Sequence, residues 1–138
     1  MTPLRVLIAD DSQPIREIVK ELLGLDITET TVCGEASDGR AAIRKAAELH
    51  PDVIFLDLSL PVVSGLEVAR TLLRDEPAST LVLMSAQEPS VLRRIAASLG
   101  AQFCASKSLL ANELSSLLQE IKQQRQQKRA SAAVAAES

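Results

Sequence analysis

The sequence predicts one α/β domain: a doubly wound, parallel sheet of five strands flanked by five helices. Three observations lead to this fold class. The chain has 138 residues, which suits one domain, and 46 % of them are hydrophobic, which is enough to bury a core. Short apolar runs alternate with longer segments whose apolar residues recur at helical spacing. Strict alternation of strands and helices is typical of right-handed βαβ units in a parallel sheet.

The five predicted strands are short runs of aliphatic and β-branched residues. The third begins at Val53 and runs without a polar residue into Asp57, as expected for a strand that helices cover on both faces. The fourth, which ends at Ser85, is a similar continuous run. The predicted strands cover residues 4–9, 30–36, 53–57, 80–85 and 102–105.

The predicted helices carry start and stop signals. Pro14 opens the first, with Ser12 or Gln13 as its cap, and Gly24 ends it. Asp38 caps the second. A third begins near residue 66 and is broken at 75–77, where a proline follows two acidic residues. The other predicted helices cover residues 14–23, 39–49, 89–99 and 109–123.

Composition narrows the function classes. The chain has two Phe and no Trp or Tyr, which argues against a nucleic-acid surface built on stacked aromatic rings. The formal net charge is −3, and residues 1–121 alone hold 11 basic and 17 acidic residues, a net charge of −6. Two cysteines do not form a disulfide framework, and we find neither a signal peptide nor a membrane-spanning run. We therefore expect a cytoplasmic protein.

Polar residues follow four of the predicted strands, where parallel strands place their carboxyl ends at one edge of the sheet. Taken singly they have ordinary interpretations, since an aspartate or serine at a strand end often forms a turn or caps the next helix. Together they suggest chemistry: grouped carboxylates attract Mg²⁺, and a metal with a lysine can stabilise a phosphoryl group on an aspartate nucleophile. These residues are Asp10, Asp11, Asp57, Ser85 with the small Ala86, and Lys107.

At this point the chain resembles the receiver domain of two-component response regulators. The matching segments are LIADDS (7–12), VIFLDLSLP (53–61) with Gly65, LMSA (83–86) and GAQFCASKS (100–108). The resemblance extends from residue 4 to about 121 and leans towards receivers of the NarL/LuxR type. It implies a flavodoxin-like, CheY-like sheet of order 2-1-3-4-5. We accordingly predict a receiver at 1–121 and a basic, Gln- and Ala-rich tail at 122–138, either a linker or an extension of the last helix.

The resemblance implies a phosphoacceptor and a metal site. Asp57 would accept a phosphoryl group from the phosphohistidine of a histidine kinase or phosphotransfer protein. Asp10, Asp11 and Asp57, with the backbone carbonyl of Ser59, would bind Mg²⁺. We expect a signalling domain whose only catalysis is its own phosphorylation and dephosphorylation.

The resemblance also implies a switch. Ser85 and Lys107 would sense the phosphoryl group, and helix four, strand five and helix five would bind a downstream partner or a second copy. The family usually has an aromatic residue three positions before the lysine, but this chain has Cys104 there, with Phe103 one residue earlier. Phe103 is then either a core residue or a substitute switch, and Ser108 stands where the family usually has proline. The other switch-related positions are Ala86, Pro61 and Gly65.

The sequence leaves several other functions to consider. The chain could be the receiver piece of a NarL/LuxR-type transcriptional regulator whose helix-turn-helix domain it does not contain, or a pseudo-receiver that binds partners without phosphorylation. An aspartate-nucleophile phosphohydrolase usually has a second acid where this chain has Ser59. A dinucleotide-binding enzyme is disfavoured because the turn after strand one has no glycines. Nucleic-acid binding would need an appended domain.

Overall fold

The computed structural model describes residues 3–25 and 29–137. It confirms the predicted fold class: five parallel strands lie in the order β2-β1-β3-β4-β5. The strands are β1 (Leu4–Ala9), β2 (Thr30–Ala36), β3 (Val53–Asp57), β4 (Thr80–Ser85) and β5 (Phe103–Ser106). The helices are α1 (Gln13–Leu25), α2 (Gly39–Leu49), α3 (Gly65–Asp75), α4 (Pro89–Leu99) and α5 (Leu110–Glu137), with a 3₁₀ turn at Lys107–Leu109.

Two helix ends differ from the prediction. Helix α1 continues past Gly24 to Leu25, because Gly24 does not adopt the left-handed conformation that would end it, whereas Gly100 does so after α4 with a φ of 78°. At the start of α1, Ser12 acts as the cap, since its hydroxyl accepts a hydrogen bond from the Ile15 N–H at 3.3 Å. Helix α5 extends well beyond residue 123.

The sheet separates two layers of core. Successive side chains of a strand point to opposite faces, so Phe55 packs with α1 and α5 while its neighbours Ile54 and Leu56 pack with α2, α3 and α4. All three are fully buried. The continuous apolar run of β3 is thus explained by cover on both faces.

The extension of α5 is attached at the amino ends of β3 and β4. The guanidinium of Arg125 donates to the Asp52 carbonyl and to Asp52 Oδ1, both at 3.0 Å. It also donates to the Ala78 carbonyl at 3.0 Å and to Thr80 Oγ1 at 3.2 Å. No helix in the described part of the chain is both long and apolar enough to span a membrane.

Candidate functional site

Strand register brings the predicted site residues to one edge. Ala9 pairs with Leu56, so the next residues, Asp10 and Asp57, lie side by side at the ends of β1 and β3. On the other side of β3, Asp57 pairs with Met84, the residue before Ser85. A parallel sheet aligns strand ends in this way, and a crevice forms where the chain order reverses between β1 and β3.

The two oxygens of the buried Asp57 carboxylate have different partners. Its Oδ1 accepts hydrogen bonds from the backbone N–H of Ser59 at 3.0 Å and from the Ser59 hydroxyl at 2.9 Å. Its Oδ2 lies 3.2 Å from Nζ of Lys107. The side chain is 1 % exposed. One oxygen is therefore fixed by the loop after β3, while the other faces a cation.

Asp10 has a similar arrangement. Its Oδ1 accepts the Ser12 N–H at 2.9 Å, and its Oδ2 lies 2.8 Å from Nζ of Lys107. Burial raises the pKa of Asp10, and the ion pair with Lys107 and the hydrogen bond from Ser12 only partly oppose this effect. The backbone carbonyl of Asp10 accepts from Arg16 at 2.7 Å. Sequence reasoning missed Arg16, which carries no motif signal and is placed by the turn into α1.

Lys107 is shared between the two buried acids. Burial alone would lower the pKa of its ammonium, but the ion pairs with Asp10 and with Asp57 outweigh that effect and raise the pKa. Lys107 therefore stays protonated. One positive charge nevertheless faces two carboxylates, so this edge of the sheet keeps an excess of negative charge.

The acidic residues fit a divalent cation. Carboxylate oxygens of Asp10, Asp11 and Asp57 all lie within 4.8 Å of one another, and Asp11 is exposed to solvent. Within the described residues, Oδ2 of Asp10 and Oδ2 of Asp57 are buried without a hydrogen bond of acceptable geometry, although both lie at ion-pair distance from Lys107. Because one ammonium faces two buried carboxylates, negative charge is left over that a divalent cation would balance, and Mg²⁺ prefers oxygen ligands. The donor set therefore suits Mg²⁺.

Comparison with known proteins decides the family. The family described as "Response regulator receiver domain" matches residues 6–121. Its match covers most of the chain. This chain belongs to the response-regulator receiver family.

Individual relatives agree. Response regulator GacA of Pseudomonas viridiflava is 38 % identical over 85 residues, which are 62 % of this chain and 39 % of GacA. A protein-glutamate methylesterase/protein-glutamine glutaminase of Geobacillus kaustophilus is 35 % identical over 97 residues, which are 70 % of this chain and 28 % of that protein. The signal receiver domain of NarL from Mycobacterium tuberculosis superposes with a TM-score of 0.76 and 31 % identity, covering 88 % of this chain and 98 % of that domain. The receiver thus spans well under half the length of the two curated relatives.

The structure places Ser85 and Ala86 beside the acidic pocket. Ser85 is 8 % exposed, and its hydroxyl accepts the backbone N–H of Gln87 at 3.1 Å. The cap of α4 is Glu88, so the interpretation of Ser85 as the cap of that helix is wrong. Ala86 is exposed. In this receiver, Ser85 shapes the β4–α4 turn.

Phe103 and Cys104 point to opposite faces of β5. Phe103 packs in the core that contains Leu114 and Leu118 of α5, whereas Cys104 packs against the layer of α4. An aromatic ring at position 103 therefore lies on the wrong face to replace one at position 104. Burial raises the pKa of the Cys104 thiol, and the cysteine is half-buried and unpaired.

The loop from β3 to α3 is tightly packed under the pocket. A Cβ on Gly65 would lie 2.3 Å from the Leu58 Cα, and a Cβ on Gly39 would lie 2.2 Å from the Val63 carbonyl oxygen. The Pro61 carbonyl accepts hydrogen bonds from Gly39 at 3.0 Å and from Val63 at 2.9 Å. Gly65 was identified from sequence, but Gly39 was missed because its role depends on a contact distant in the chain.

Proposed function

We propose that this receiver accepts a phosphoryl group on Asp57 from a phosphohistidine of a histidine kinase or phosphotransfer protein. The supporting observation is the buried Asp57 carboxylate, which shares Lys107 with Asp10 and lies within reach of a third acid. A carboxylate in this setting is held in place for attack and is only partly neutralised, because its lysine is shared with Asp10. The two unpaired cysteines suit a reducing cytoplasm.

The transfer would be a displacement at phosphorus. An oxygen of Asp57 forms the new O–P bond as the P–N bond to the imidazole breaks, and the departing nitrogen takes a proton from solvent. Lys107 would neutralise charge on the phosphoryl oxygens, and Ser59 would hold the other Asp57 oxygen in position.

Asp10, Asp11, Asp57 and the Ser59 carbonyl would hold Mg²⁺. Bound Mg²⁺ would add positive charge beside the phosphoryl oxygens. Asp10 is kept in place by the Ser12 N–H and, through its backbone, by Arg16. The exposed Asp11 would complete the set from the solvent side.

The output would follow from added charge beside β4. A phosphoryl group brings up to about two negative charges, and the Ser85 hydroxyl would turn from Gln87 towards it. The surface formed by α4, β5 and α5 would then shift in population between two conformations and bind a partner or a second copy. Because position 104 is cysteine, no aromatic ring would take part at that position.

A second candidate is the same receiver working within a longer transcriptional regulator. The similarity to the NarL receiver domain, at 31 % identity, favours this candidate. The chemistry at Asp57 would be unchanged, and the output surface would contact an attached domain. We do not expect this receiver alone to bind nucleic acid or to act as an enzyme on another substrate.

The test is intact mass after incubation with acetyl phosphate, with Mg²⁺ or with EDTA. We expect a gain of about 80 Da, one phosphoryl group, that requires Mg²⁺ and is absent in Asp57→Asn. Asp38→Asn is the matched control, because Asp38 only caps α2 and should leave labelling unchanged.

Two outcomes would count against the proposal. A folded parent that gains no mass with Mg²⁺ present would leave the phosphorylation-independent pseudo-receiver as the better description. Equal labelling of the parent and Asp57→Asn would show that the phosphoryl group is attached to another residue.

A further inference from the structure

A cavity lies at the edge of the sheet opposite Asp57. Its volume is about 330 Å³, and it opens between the amino ends of β4 and β5, the end of α3 and the extension of α5. Thr80 and Phe103, the first residues of their strands, both line it. Its volume falls in the range of small-molecule sites, roughly 300–1,000 Å³.

The charged residues of this cavity all have the same sign. Arg125, Lys128 and Arg129 line it, and no acidic residue among those described does so. An adjoining cavity of about 410 Å³ shares Arg125 and Arg129 and adds Arg5 and Lys122. Its one acid, Asp52, is already paired with Arg125 at 3.0 Å. An anion in the first cavity would therefore meet positive charge on the helix side without a competing carboxylate.

The rest of the lining includes apolar residues. Leu73 near the end of α3 and the exposed Pro77 just after it line the cavity, and Ser79 and Gln102 add polar groups. Leu81 and Phe103 also line it, but they are only 5 % and 8 % exposed and pack in the core layers on opposite faces of the sheet. A cavity with an apolar part and a cationic wall selects a ligand with an apolar body and an anionic group. Inorganic anions would satisfy only the cationic wall.

The cationic wall is partly preorganised. Arg125 is held by hydrogen bonds to two backbone carbonyls, to Thr80 and to Asp52, so its position does not have to be fixed on binding. Its Nε is buried and has no acceptor within the described residues. Lys128 and Arg129 are exposed on the next turn and remain available for a ligand.

We propose that this cavity binds a small organic phosphate with a flat apolar body, such as a nucleoside monophosphate. Lys128 and Arg129 would contact the phosphate, and the ring would lie against Leu73 and Pro77. The three lysine and arginine residues lie beyond residue 121, where the family match ends. The site is separate from the acidic pocket and does not depend on phosphorylation of Asp57.

The test is an amide chemical-shift titration of the full chain by NMR, using AMP, adenosine and inorganic phosphate as probes. We expect AMP to shift the amides of Ser79, Thr80 and Gln102 with a dissociation constant below about 1 mM. Adenosine and inorganic phosphate should each bind at least about tenfold more weakly, because each lacks one part. Raising the salt from about 50 to 300 mM should weaken AMP binding severalfold.

The double variant Lys128→Gln, Arg129→Gln should weaken AMP binding at least about tenfold while the spectrum stays folded. Arg94→Gln, an exposed substitution on α4 outside the cavity, is the matched control and should bind like the parent. No shift at the cavity with AMP up to about 10 mM would overturn the proposal. Equal weakening in the control, or inorganic phosphate binding as tightly as AMP, would also overturn it.

Discussion

The two ends of the sheet hold their acidic residues differently. At the amino end, both carboxylate oxygens of Asp52 accept hydrogen bonds. Its Oδ1 accepts from Arg125 at 3.0 Å, and its Oδ2 accepts the Arg5 N–H at 2.9 Å. At the carboxyl end, Asp10 and Asp57 share one lysine, and each keeps a buried Oδ2 without a hydrogen bond in the described part of the chain. The acid at the amino end finds all its partners within the fold. The acids at the carboxyl end keep negative charge that a ligand can balance.

This difference separates stability from function. A charge with all its partners present stabilises the fold, and removing a partner costs free energy. A charge left with an incomplete set of partners costs stability until a cation or phosphoryl chemistry completes it. The same aspartate-to-asparagine change should therefore have opposite effects at the two ends.

The largest effect on stability should come from removing the Arg125 contacts at the amino end of the sheet. Arg125→Met removes four hydrogen bonds and leaves Asp52 without its cation, so we expect the free energy of unfolding to fall by about 2 kcal/mol. Urea unfolding followed by circular dichroism measures this change. Arg129→Met, on the same helix and exposed, should change stability by less than about 0.5 kcal/mol. Equal losses in the two variants would show that Arg125 does not anchor the helix.

A smaller effect of opposite sign should appear at the carboxyl end. Asp10→Asn removes one of two buried carboxylates that share Lys107, so in EDTA we expect the variant to be about 1 kcal/mol more stable than the parent. Asp52→Asn should instead be destabilised. Adding Mg²⁺ should raise the melting temperature of the parent more than that of Asp10→Asn. A destabilised Asp10→Asn would show that the two ends hold charge in the same way.

The smallest effect should come from the partly exposed carboxylate of Glu35 on β2, which pairs with Arg16 and Lys20 of α1. Burial raises the pKa of Glu35, but hydrogen bonds from Lys20 and Arg16 outweigh burial and lower it overall. Its stabilisation is thus complete above the ordinary glutamate pKa of 4.5 and is lost as the pH falls through the lowered value.

The stability difference between the parent and Glu35→Gln measures that contribution. We expect less than about 1 kcal/mol at neutral pH, and a difference that disappears once the pH is well below the lowered pKa of Glu35. Urea unfolding of both proteins across this range provides the values. A stability difference that grows as the pH falls would contradict the prediction.

Much of the fold followed from local patterns. The bounds of α4 and β4 are as predicted, because Pro89, Gly100 and an unbroken apolar run define them locally. The length of α5 did not follow, since residues after 121 have little apolar pattern and Arg125 attaches them through contacts more than forty residues away in sequence.

The sequence was enough to predict which residues come together at the site. Strand ends in a parallel sheet must align, so Asp10, Asp57 and Lys107 were placed together by order alone. The supports of these residues were not predictable, because Arg16 and Gly39 act through turns and close contacts that only the folded chain forms. The different roles of Phe103 and Cys104 could also be predicted from the sequence, since neighbouring residues of a strand face opposite sides of the sheet.

The length of α5 gives the receiver a mechanical property. Its 28 residues make a rod of about 42 Å, and the 12 residues beyond Arg125 account for about 18 Å of it. With Arg125 as the pivot, a tilt of about 5° would displace the far end of the helix by roughly 1.5 Å. Any rearrangement at the start of α5 would thus reach the far end of the helix in the opposite direction and at similar size, because about 22 Å of helix precede Arg125 and about 18 Å follow it.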